Sequence, residues 1–348
     1  MRKAFWLVAA ATVLLFPTAV LADSISPTSV TATLGVGDSV TVAKTVTVSA
    51  GTPTTSKVDV FFLADTTGSM YFPITSVIAS AGSILSSTAG LGDVAFGVGE
   101  YKDFVGDPYA YRLNTAMTTN QATAQAGINL WAASGGGDYQ EAELYALNTL
   151  ATDAATGWRT GSTRILVWFG DASGHDPSGG VTEATATASL VAGGIKVEAI
   201  DVGTMNDTGQ ALRIATATGG AYYSGIDSSS IVAAITAAIN ASFVNYTSVG
   251  LDLSEVPAGV IASSTPLSYL GAFDRSIERT FGFSLTFTGV TPGSYAFSVY
   301  GTVDGGRVAT ESDRITVTGA AVPEPGTLLL LGSGLIGLAG YRRRARKM

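Results

Sequence analysis

Residues 57–243 alternate short apolar segments with segments of helical spacing, and this alternation limits the possible folds more than any other feature. The apolar segments are Val58–Ala64, Val94–Tyr101, Arg164–Gly170 and Ile195–Val202. The segments with helix-compatible spacing are Phe72–Ser87, Asp138–Leu150, Thr182–Ala192 and Gly209–Thr218. Strand–helix alternation of this kind predicts an α/β domain with a doubly wound, mostly parallel sheet.

The two regions that flank this domain have the residue pattern of β-strands. Residues 23–56 are rich in Ser, Thr and Val with period-two alternation, and residues 246–318 hold short β-like runs between Pro-Gly and Gly-Gly turns. The first flank is too short to bury a core by itself. We therefore expect the flanks to form one β-sandwich with the α/β domain inserted between them. Two separate β pieces are the alternative.

The composition excludes several classes of protein. The chain has 348 residues, no Cys and a single His, which excludes a disulfide scaffold, a Cys/His zinc site and a thiol nucleophile. The formal net charge is −8 and no basic stripe runs through the body of the chain. Binding to nucleic acid is therefore not expected.

The N-terminal segment has the features of an export signal. Arg2 and Lys3 precede an apolar stretch from Ala4 to Phe16, and a small-residue cleavage site ends at Ala22. Residues 1–22 are therefore predicted to be a signal peptide. An exported chain without cysteines fits the envelope of a bacterium better than an animal secretory pathway.

The C-terminal segment, residues 322–348, has three parts in a fixed order. A Pro-Glu-Pro triplet at 323–325 precedes an apolar run from Gly326 to Tyr341, and an arginine-rich tail follows. This order resembles the PEP-CTERM sorting signal of Gram-negative bacteria. The resemblance implies a helix that lies transiently in the inner membrane with its tail in the cytoplasm, processing by an exosortase, and delivery to the cell surface or the extracellular matrix. A plain C-terminal anchor helix is the alternative.

Oxygen-bearing side chains follow the ends of the predicted strands. Asp65, Thr67 and Ser69 alternate directly after the first apolar segment, and Asp171 follows the third. Ligands of doubly wound sheets bind at the carboxyl ends of the strands. A set of carboxylate and hydroxyl oxygens suits a hard cation such as Mg²⁺.

A glycine-rich segment between these two loops, residues 135–137, leads to two further acids. Asp138 and Glu141 lie at the start of a predicted helix, where a flexible backbone can bring either one toward the cation. His175 and Asp176 follow Asp171 and could position a ligand or a water at the rim, although solvated loop residues are the simpler interpretation. Asp103 and Asp107 are expected to be loop and turn acids. They are therefore not counted among the possible cation ligands, which include Asp138 and Glu141.

The sequence Asp65-x-Thr67-x-Ser69 after an apolar strand resembles the metal-ion-dependent adhesion site (MIDAS) of the von Willebrand factor A domain, and the match extends over residues 57–243. The resemblance implies that these three residues and Asp171 hold one divalent cation, Mg²⁺ or else Ca²⁺ or Mn²⁺. A carboxylate of the partner would complete the coordination.

The sequence departs from that pattern in the second loop, where the usual Thr is not evident. Asp138 or Glu141 stands in its place, which is similar to the I-like domain of integrin β chains. The sequence leaves open which of the two acids binds the cation.

The chain lacks the signatures of common enzyme classes. It has no Gly-x-Ser-x-Gly elbow, no phosphate-binding loop and no dinucleotide fingerprint, so we expect no enzyme. The predicted function is that of an exported surface or matrix protein which binds a protein or polysaccharide partner through a cation. The alternative is a structural envelope or biofilm matrix protein whose metal site only stabilises the fold.

Overall fold

A computed structural model describes residues 22–51, 57–319, 332–338 and 342. The predicted signal peptide lies outside the described residues apart from Ala22, as does most of the C-terminal segment 322–348. Within that segment residues 332–338 are helical.

Three strands precede the α/β unit: β1 (Ser24–Ser26), β2 (Thr31–Gly35) and β3 (Ser39–Val48). They do not form a sheet of their own, because β1 and β3 belong to one sheet and β2 to another. The alternation of β3 places Lys44, Val46 and Val48 on its buried face.

The α/β unit contains six strands and six α-helices. The strands are β4 (Lys57–Asp65), β5 (Asp93–Tyr101), β6 (Tyr111–Thr118), β7 (Thr163–Gly170), β8 (Ile195–Asp201) and β9 (Tyr222–Tyr223). The helices are α1 (Tyr71–Ala89), α2 (Gln121–Ile128), α3 (Glu143–Thr152), α4 (Glu183–Ala192), α5 (Gln210–Ala217) and α6 (Ile231–Ala241).

These strands form one sheet in the order β6-β5-β4-β7-β8-β9. All neighbours are parallel except β6, which runs antiparallel to β5 at the edge. The central strand β4 is buried from Val58 to Asp65 because both faces of the sheet are covered. The predicted α/β class with a parallel sheet is therefore confirmed.

Two layers of helices cover the sheet. Helices α1, α2 and α6 pack with Val60 and Phe62 of β4 on one face, and α3, α4 and α5 pack with Phe61 and Leu63 on the other. β4 lies between β5 and β7, so the connections that leave the sheet on its two sides run over opposite faces of the sheet. The crevice at the carboxyl ends of β4 and β7 is thus the position where such sheets bind ligands.

One helical stretch in the described part of the chain, Gly68–Ala89, is long and apolar enough to cross a membrane. Its apolar composition has another explanation in this fold. Ile74, Val77 and Ala81 recur at helical spacing and are buried in the core beside the sheet.

Six strands follow the α/β unit: β10 (Asn245–Asp252), β11 (Val260–Thr265), β12 (Ser268–Asp274), β13 (Arg279–Gly289), β14 (Gly293–Val303) and β15 (Gly306–Thr318). They complete a four-stranded sheet in the order β1-β3-β13-β11 and a five-stranded sheet in the order β12-β10-β14-β15-β2. Both sheets therefore combine strands from before and after the α/β unit.

The two sheets share apolar clusters. In one cluster Val46 of β3 and Phe281 of β13 pack with Val249 of β10 and Val303 of β14. The β-sheet layers meet the α/β unit near the amino ends of its strands, where Arg307 N donates to Gly161 O at 2.8 Å. The carboxyl ends of β4 and β7 are at the opposite end of the parallel sheet.

The sequence did not predict the edge strand β6 or the helices α2 and α6, and it placed the start of α3 too early. The helix predicted from Asp138 begins at Glu143. Gly135 and Gly136 have positive φ, and Glu141 N donates to Ser173 O in a bridge between loops. These loop contacts replace the first helical turn that the sequence pattern suggested.

Candidate metal centre

The first loop of the site follows β4 and is tied to the glycine-rich loop beside it. Ser134 N donates to Thr66 O at 3.0 Å, and Gly68 N donates to Gly135 O at 3.1 Å. Met70, which is fully buried, anchors the start of α1 in the core. The loop is therefore held at both ends.

Asp65 is the last residue of β4, and its side chain is buried. Its Oδ1 accepts hydrogen bonds from Thr67 N at 2.8 Å and from Thr67 Oγ1 at 2.7 Å. Its Oδ2 has no hydrogen-bond partner among the described residues. Thr67 Oγ1 lies 3.4 Å from Ser69 Oγ, so the three predicted oxygens of this loop are together.

Asp171 follows β7 and faces the first loop, since β4 and β7 are parallel neighbours. It lies beside Ser69, and burial raises its pKa. Thr204 N and Thr204 Oγ1 donate to the backbone oxygen of Asp171 at 2.9 and 3.1 Å and hold its loop. Burial and the charge of Asp171 raise the pKa of Asp65 to about 7. Asp171 Oδ1 has no partner in the described part of the chain.

Glu141 completes this group. It is 3% exposed and lies beside Thr67. Burial, followed by the charges of Asp65, Asp103 and Asp171, raises its pKa to about 9. Its Oε2 also lacks a partner among the described residues.

Asp138 lies elsewhere, outside the group formed by Asp65, Thr67, Ser69, Glu141 and Asp171. Its side chain is 60% exposed, and its Oδ1 lies 3.2 Å from His175 Nε2. Asp103, on the other side of the imidazole, places Oδ1 at 3.6 Å from the same nitrogen. Asp138, Asp103 and His175 form a separate outer cluster. The geometry thus favours Glu141 over Asp138 as the acid that accompanies Asp65.

The two residues predicted at the rim differ in their surroundings. His175 is partly buried and contacts the two acids of the outer cluster. Asp176 is exposed, and its Oδ1 accepts a hydrogen bond from Glu183 N at 3.2 Å, at the start of α4. Asp176 thereby adds to the cap of α4, whose N-cap residue is Thr182.

Three buried charged residues of this region were missed or misread from the sequence. Asp103, expected to be a loop acid, is 1% exposed. Glu143 is fully buried with neither carboxylate oxygen paired among the described residues, and its pKa is well above the ordinary value because of burial. Lys102 Nζ contacts Thr66 O and donates to Ser134 O at 2.6 Å. Glu143 could have been noticed, because it lies two residues after Glu141.

Glu100, near the end of β5, is a fourth buried charge, and it supports the first loop from behind. Its Oε2 accepts from Thr66 Oγ1 at 2.7 Å and from Tyr109 OH at 2.8 Å, and its Oε1 accepts from Arg112 Nε at 3.0 Å. The sequence signal was an acid in an otherwise apolar strand. Because Glu100 is fully paired in this way, it fixes Thr66 and does not offer oxygens to the site.

The donor set fits a divalent cation of the Mg²⁺ class. Asp65, Glu141 and Asp171 each keep one buried oxygen without a partner in the described part of the chain, and buried polar atoms are normally paired. Burial raises the pKa of each carboxyl, since several like charges share a space with little water. Oxygen-only ligands of this kind are those that Mg²⁺, Ca²⁺ and Mn²⁺ prefer.

Comparison with known proteins identifies the C-terminal segment. The PEP-CTERM protein-sorting motif matches residues 321–344, which confirms that prediction. The motif implies an exported protein that is targeted to the cell envelope and processed by an exosortase. No curated protein matches the chain.

Two solved structures are similar to this chain. A von Willebrand factor type A protein from Catenulispora acidiphila has 14% sequence identity and a TM-score of 0.48, and the match covers 90% of this chain and 77% of that chain. Proximal thread matrix protein 1 from the mussel byssus has 15% identity and a TM-score of 0.44, with 59% of this chain and 48% of that chain covered.

Proposed function

We propose that the α/β unit binds one divalent cation at Asp65, Thr67, Ser69, Glu141 and Asp171 and presents it to a carboxylate of a partner. The carrying observation is that Asp65, Glu141 and Asp171 each keep a buried oxygen without a partner among the described residues, while the charges of Asp65 and Asp171 both raise the pKa of Glu141. Three carboxylate and two hydroxyl oxygens are one fewer than the six positions that Mg²⁺ requires. A cation bound there would accept an oxygen from a protein or polysaccharide partner, and Ca²⁺ or Mn²⁺ are the alternatives to Mg²⁺.

The surface beside the site supports binding to a partner. Tyr71 and Phe72, which directly follow the first loop, are 58% and 70% exposed, and Tyr139 is 54% exposed. The hydroxyl of Tyr139 donates to Asp207 at 3.0 Å, in the segment after β8. Exposed apolar groups near a polar centre are typical of interaction sites. We propose binding, not catalysis, as the role of this surface.

We further propose that the α/β unit is an insertion in a β-sandwich. This proposal is supported by the pairing of β3 with β13, and of β2 with β15, because each pair joins a strand before the unit to a strand after it. In that arrangement the metal centre would lie at the end of the α/β unit that is remote from the sandwich. Exosortase processing in a Gram-negative envelope, after a membrane stage of the C-terminal helix, would deliver the protein to the surface or the matrix.

A direct titration tests cation binding. Protein stripped of metal with EDTA is titrated with Mg²⁺, Ca²⁺ and Mn²⁺ by calorimetry, and one site per chain is expected. Absence of heat and of thermal stabilisation with all three ions would contradict the proposal.

A second experiment separates adhesion from a purely structural role. Extracellular matrix from the producing bacterium is incubated with the protein in Mg²⁺ or in EDTA, and bound protein is measured. Retention in Mg²⁺ alone supports adhesion. Equal retention in both conditions, together with stabilisation by Mg²⁺, would favour the alternative of a matrix protein whose metal site only supports the fold.

A further inference from the structure

A lysine and two carboxylates face one another in the β-sandwich, outside the metal centre. Lys44 lies on β3, and Glu311 and Asp313 lie on β15; they are 1%, 0% and 3% exposed. Lys44 Nζ contacts Glu311 Oε1, and Asp313 lies two residues beyond Glu311 on the same buried face of β15. Charged side chains are seldom this deeply buried.

The strand patterns show that these residues occupy core positions. Lys44 shares the buried face of β3 with Val46, and Glu311 and Asp313 share the buried face of β15 with Ile315. An apolar residue would be expected at each of the three positions. The sandwich thus carries a polar group where packing alone requires a hydrophobic one.

The neighbours of the group on the adjacent strands are apolar. Phe283 lies opposite Lys44, and Val299 lies opposite Glu311. Both are nearly inaccessible, at 3% and 0% exposure. The contact between Lys44 and Glu311 therefore lies in a region of low dielectric constant with little water.

The hydrogen bonds in the group are incomplete. Lys44 Nζ donates to Pro27 O at 3.3 Å, and Asp313 Oδ1 accepts from Val30 N at 2.7 Å. Glu311 Oε2 and Asp313 Oδ2 have no partner among the described residues. Burial, together with Asp313, raises the pKa of Glu311 to about 7. A buried ion pair with unpaired oxygens is a poor source of stability.

We propose that Lys44 and Glu311 join in an intramolecular amide bond, and that Asp313 transfers the protons. The ammonium of Lys44 first gives one proton to the carboxylate of Glu311, which yields an amine beside a carboxylic acid. The Nζ lone pair attacks Cδ of Glu311 and forms the N–C bond. Asp313 accepts a proton from the nitrogen and returns it to the leaving hydroxyl, so the C–O bond breaks and one water is released. No oxidant or other reactant is consumed.

The fold supplies the conditions that this condensation needs. The two groups are held in contact by strands on opposite sheets, which replaces an encounter in solution by a high effective concentration. The apolar surroundings favour the neutral amine and acid over the ion pair. Little water is present to reverse the reaction.

The bond would connect the two flanks of the α/β unit. It joins β3 of the four-stranded sheet to β15 of the five-stranded sheet and encloses the whole α/β unit in one covalent loop. An exported chain without cysteines has no disulfide with which to do this, and a cross-link of this kind limits the unfolded state in the same way.

Peptide mass spectrometry of the full-length protein tests the proposal. After denaturation and trypsin digestion, the peptide Val308–Arg314 is expected to be joined to the peptide that contains Lys44, with a mass one water below the sum of the two. Fragmentation should place the bond at Glu311. Cleavage after Lys44 and recovery of unmodified Val308–Arg314 from the wild-type protein would overturn the proposal, whatever the variants do.

The chain offers a matched control in Lys196 and Asp304, whose Nζ and Oδ2 lie 3.3 Å apart with side chains 9% and 15% exposed. This wetter pair should remain unjoined in the same digest. Lys44→Arg keeps the charge and should abolish the joined peptide. Asp313→Asn should lower the yield of joined peptide at least about tenfold, since proton transfer by a positioned group contributes that much or more. An undiminished yield in Asp313→Asn would overturn the assigned role of Asp313.

Discussion

Asp65 Oδ1 accepts both the backbone N–H and the hydroxyl of Thr67, at 2.8 and 2.7 Å, while Asp65 Oδ2 has no partner among the described residues. One oxygen is thereby used to fix the carboxylate, and the other is left for a ligand. A site that is oriented before its ligand arrives loses less entropy when it binds. This relationship is the basis of the first two predictions.

Asp65→Asn should lower the affinity for Mg²⁺ at least about tenfold, because even the loss of a residue that only orients a ligand costs that much. Calorimetric titration of the metal-free protein measures the change. The variant should be at least as stable as the wild type without metal, since burial and Asp171 already raise the pKa of Asp65 to about 7.

Asp38→Asn is the control for that substitution, because Asp38 is exposed in the turn between β2 and β3. Its Mg²⁺ affinity should match that of the wild type. An Asp65→Asn protein that is folded and retains wild-type affinity would show that the cation does not bind at the end of β4.

Glu141 and Asp138 should respond differently to removal of their charge. Glu141→Gln is expected to weaken Mn²⁺ binding at least about tenfold, since Glu141 is buried beside Asp65 and Thr67. Asp138→Asn should leave it nearly unchanged, because Asp138 faces His175. Electron paramagnetic resonance of free Mn²⁺ measures both. The reverse order of effects would mean that the outer cluster holds the ion.

Glu198 should make the stability of the protein fall with rising pH. It is buried, and burial raises its pKa above the ordinary 4.5, although Ser242, Tyr223 and the N–H of Ala221 donate to it. The folded protein therefore keeps a proton that the unfolded chain has lost, and the free energy of unfolding decreases as the pH rises above about 4.5.

Glu198→Gln should lose less stability than the wild type between about pH 5 and about pH 8, because glutamine does not titrate. Urea denaturation at the two pH values measures the difference. The other buried acids are the same in both proteins, so equal losses would show that Glu198 is ionised throughout this range.

Gly97→Ala should destabilise the α/β unit. A methyl group at Gly97 would lie 2.4 Å from a ring carbon of Phe61, whose ring packs against β5. Phe61 is fully buried and cannot move away freely. We expect a loss of about 1–3 kcal/mol in the free energy of unfolding by urea, as for other overpacked cores.

Gly282→Ala is the matched control, since Gly282 also lies in a strand but is exposed, with no atom within 4 Å of the added methyl group. Its stability should change by less than about 0.5 kcal/mol. A Gly97→Ala protein as stable as Gly282→Ala would mean that the Phe61 ring does not lie over β5 as described.

Local patterns were sufficient for the main strands and helices of the α/β unit. The segment Val58–Ala64 is apolar on both faces except at Asp59, which is typical of a strand that is covered on both faces. It was therefore predictable, as were the loops at its end and at the end of β7. The edge strand β6 alternates weakly, from half-buried to exposed, and gave no such signal.

The candidate site could be predicted only in part for the same reason. Their position along the chain sets the place in the fold of the four residues that end a strand or closely follow one, namely Asp65, Thr67, Ser69 and Asp171. The choice between Asp138 and Glu141 depends on a bridge between Glu141 and Gly174, which belong to different loops. No local pattern encodes that contact.

The sequence by itself determined the sorting segment, the α/β class, the loops in which the candidate oxygen ligands lie and the absence of cysteine. These features depend on residue order and composition, which need no long-range contact. The tertiary structure decided which acids are buried together. It alone placed Glu141 beside Asp65, and Lys44 against Glu311, 267 residues away along the chain. The protonation and pairing of a charged group depend on the neighbours that folding brings to it, and those neighbours are distant in the sequence.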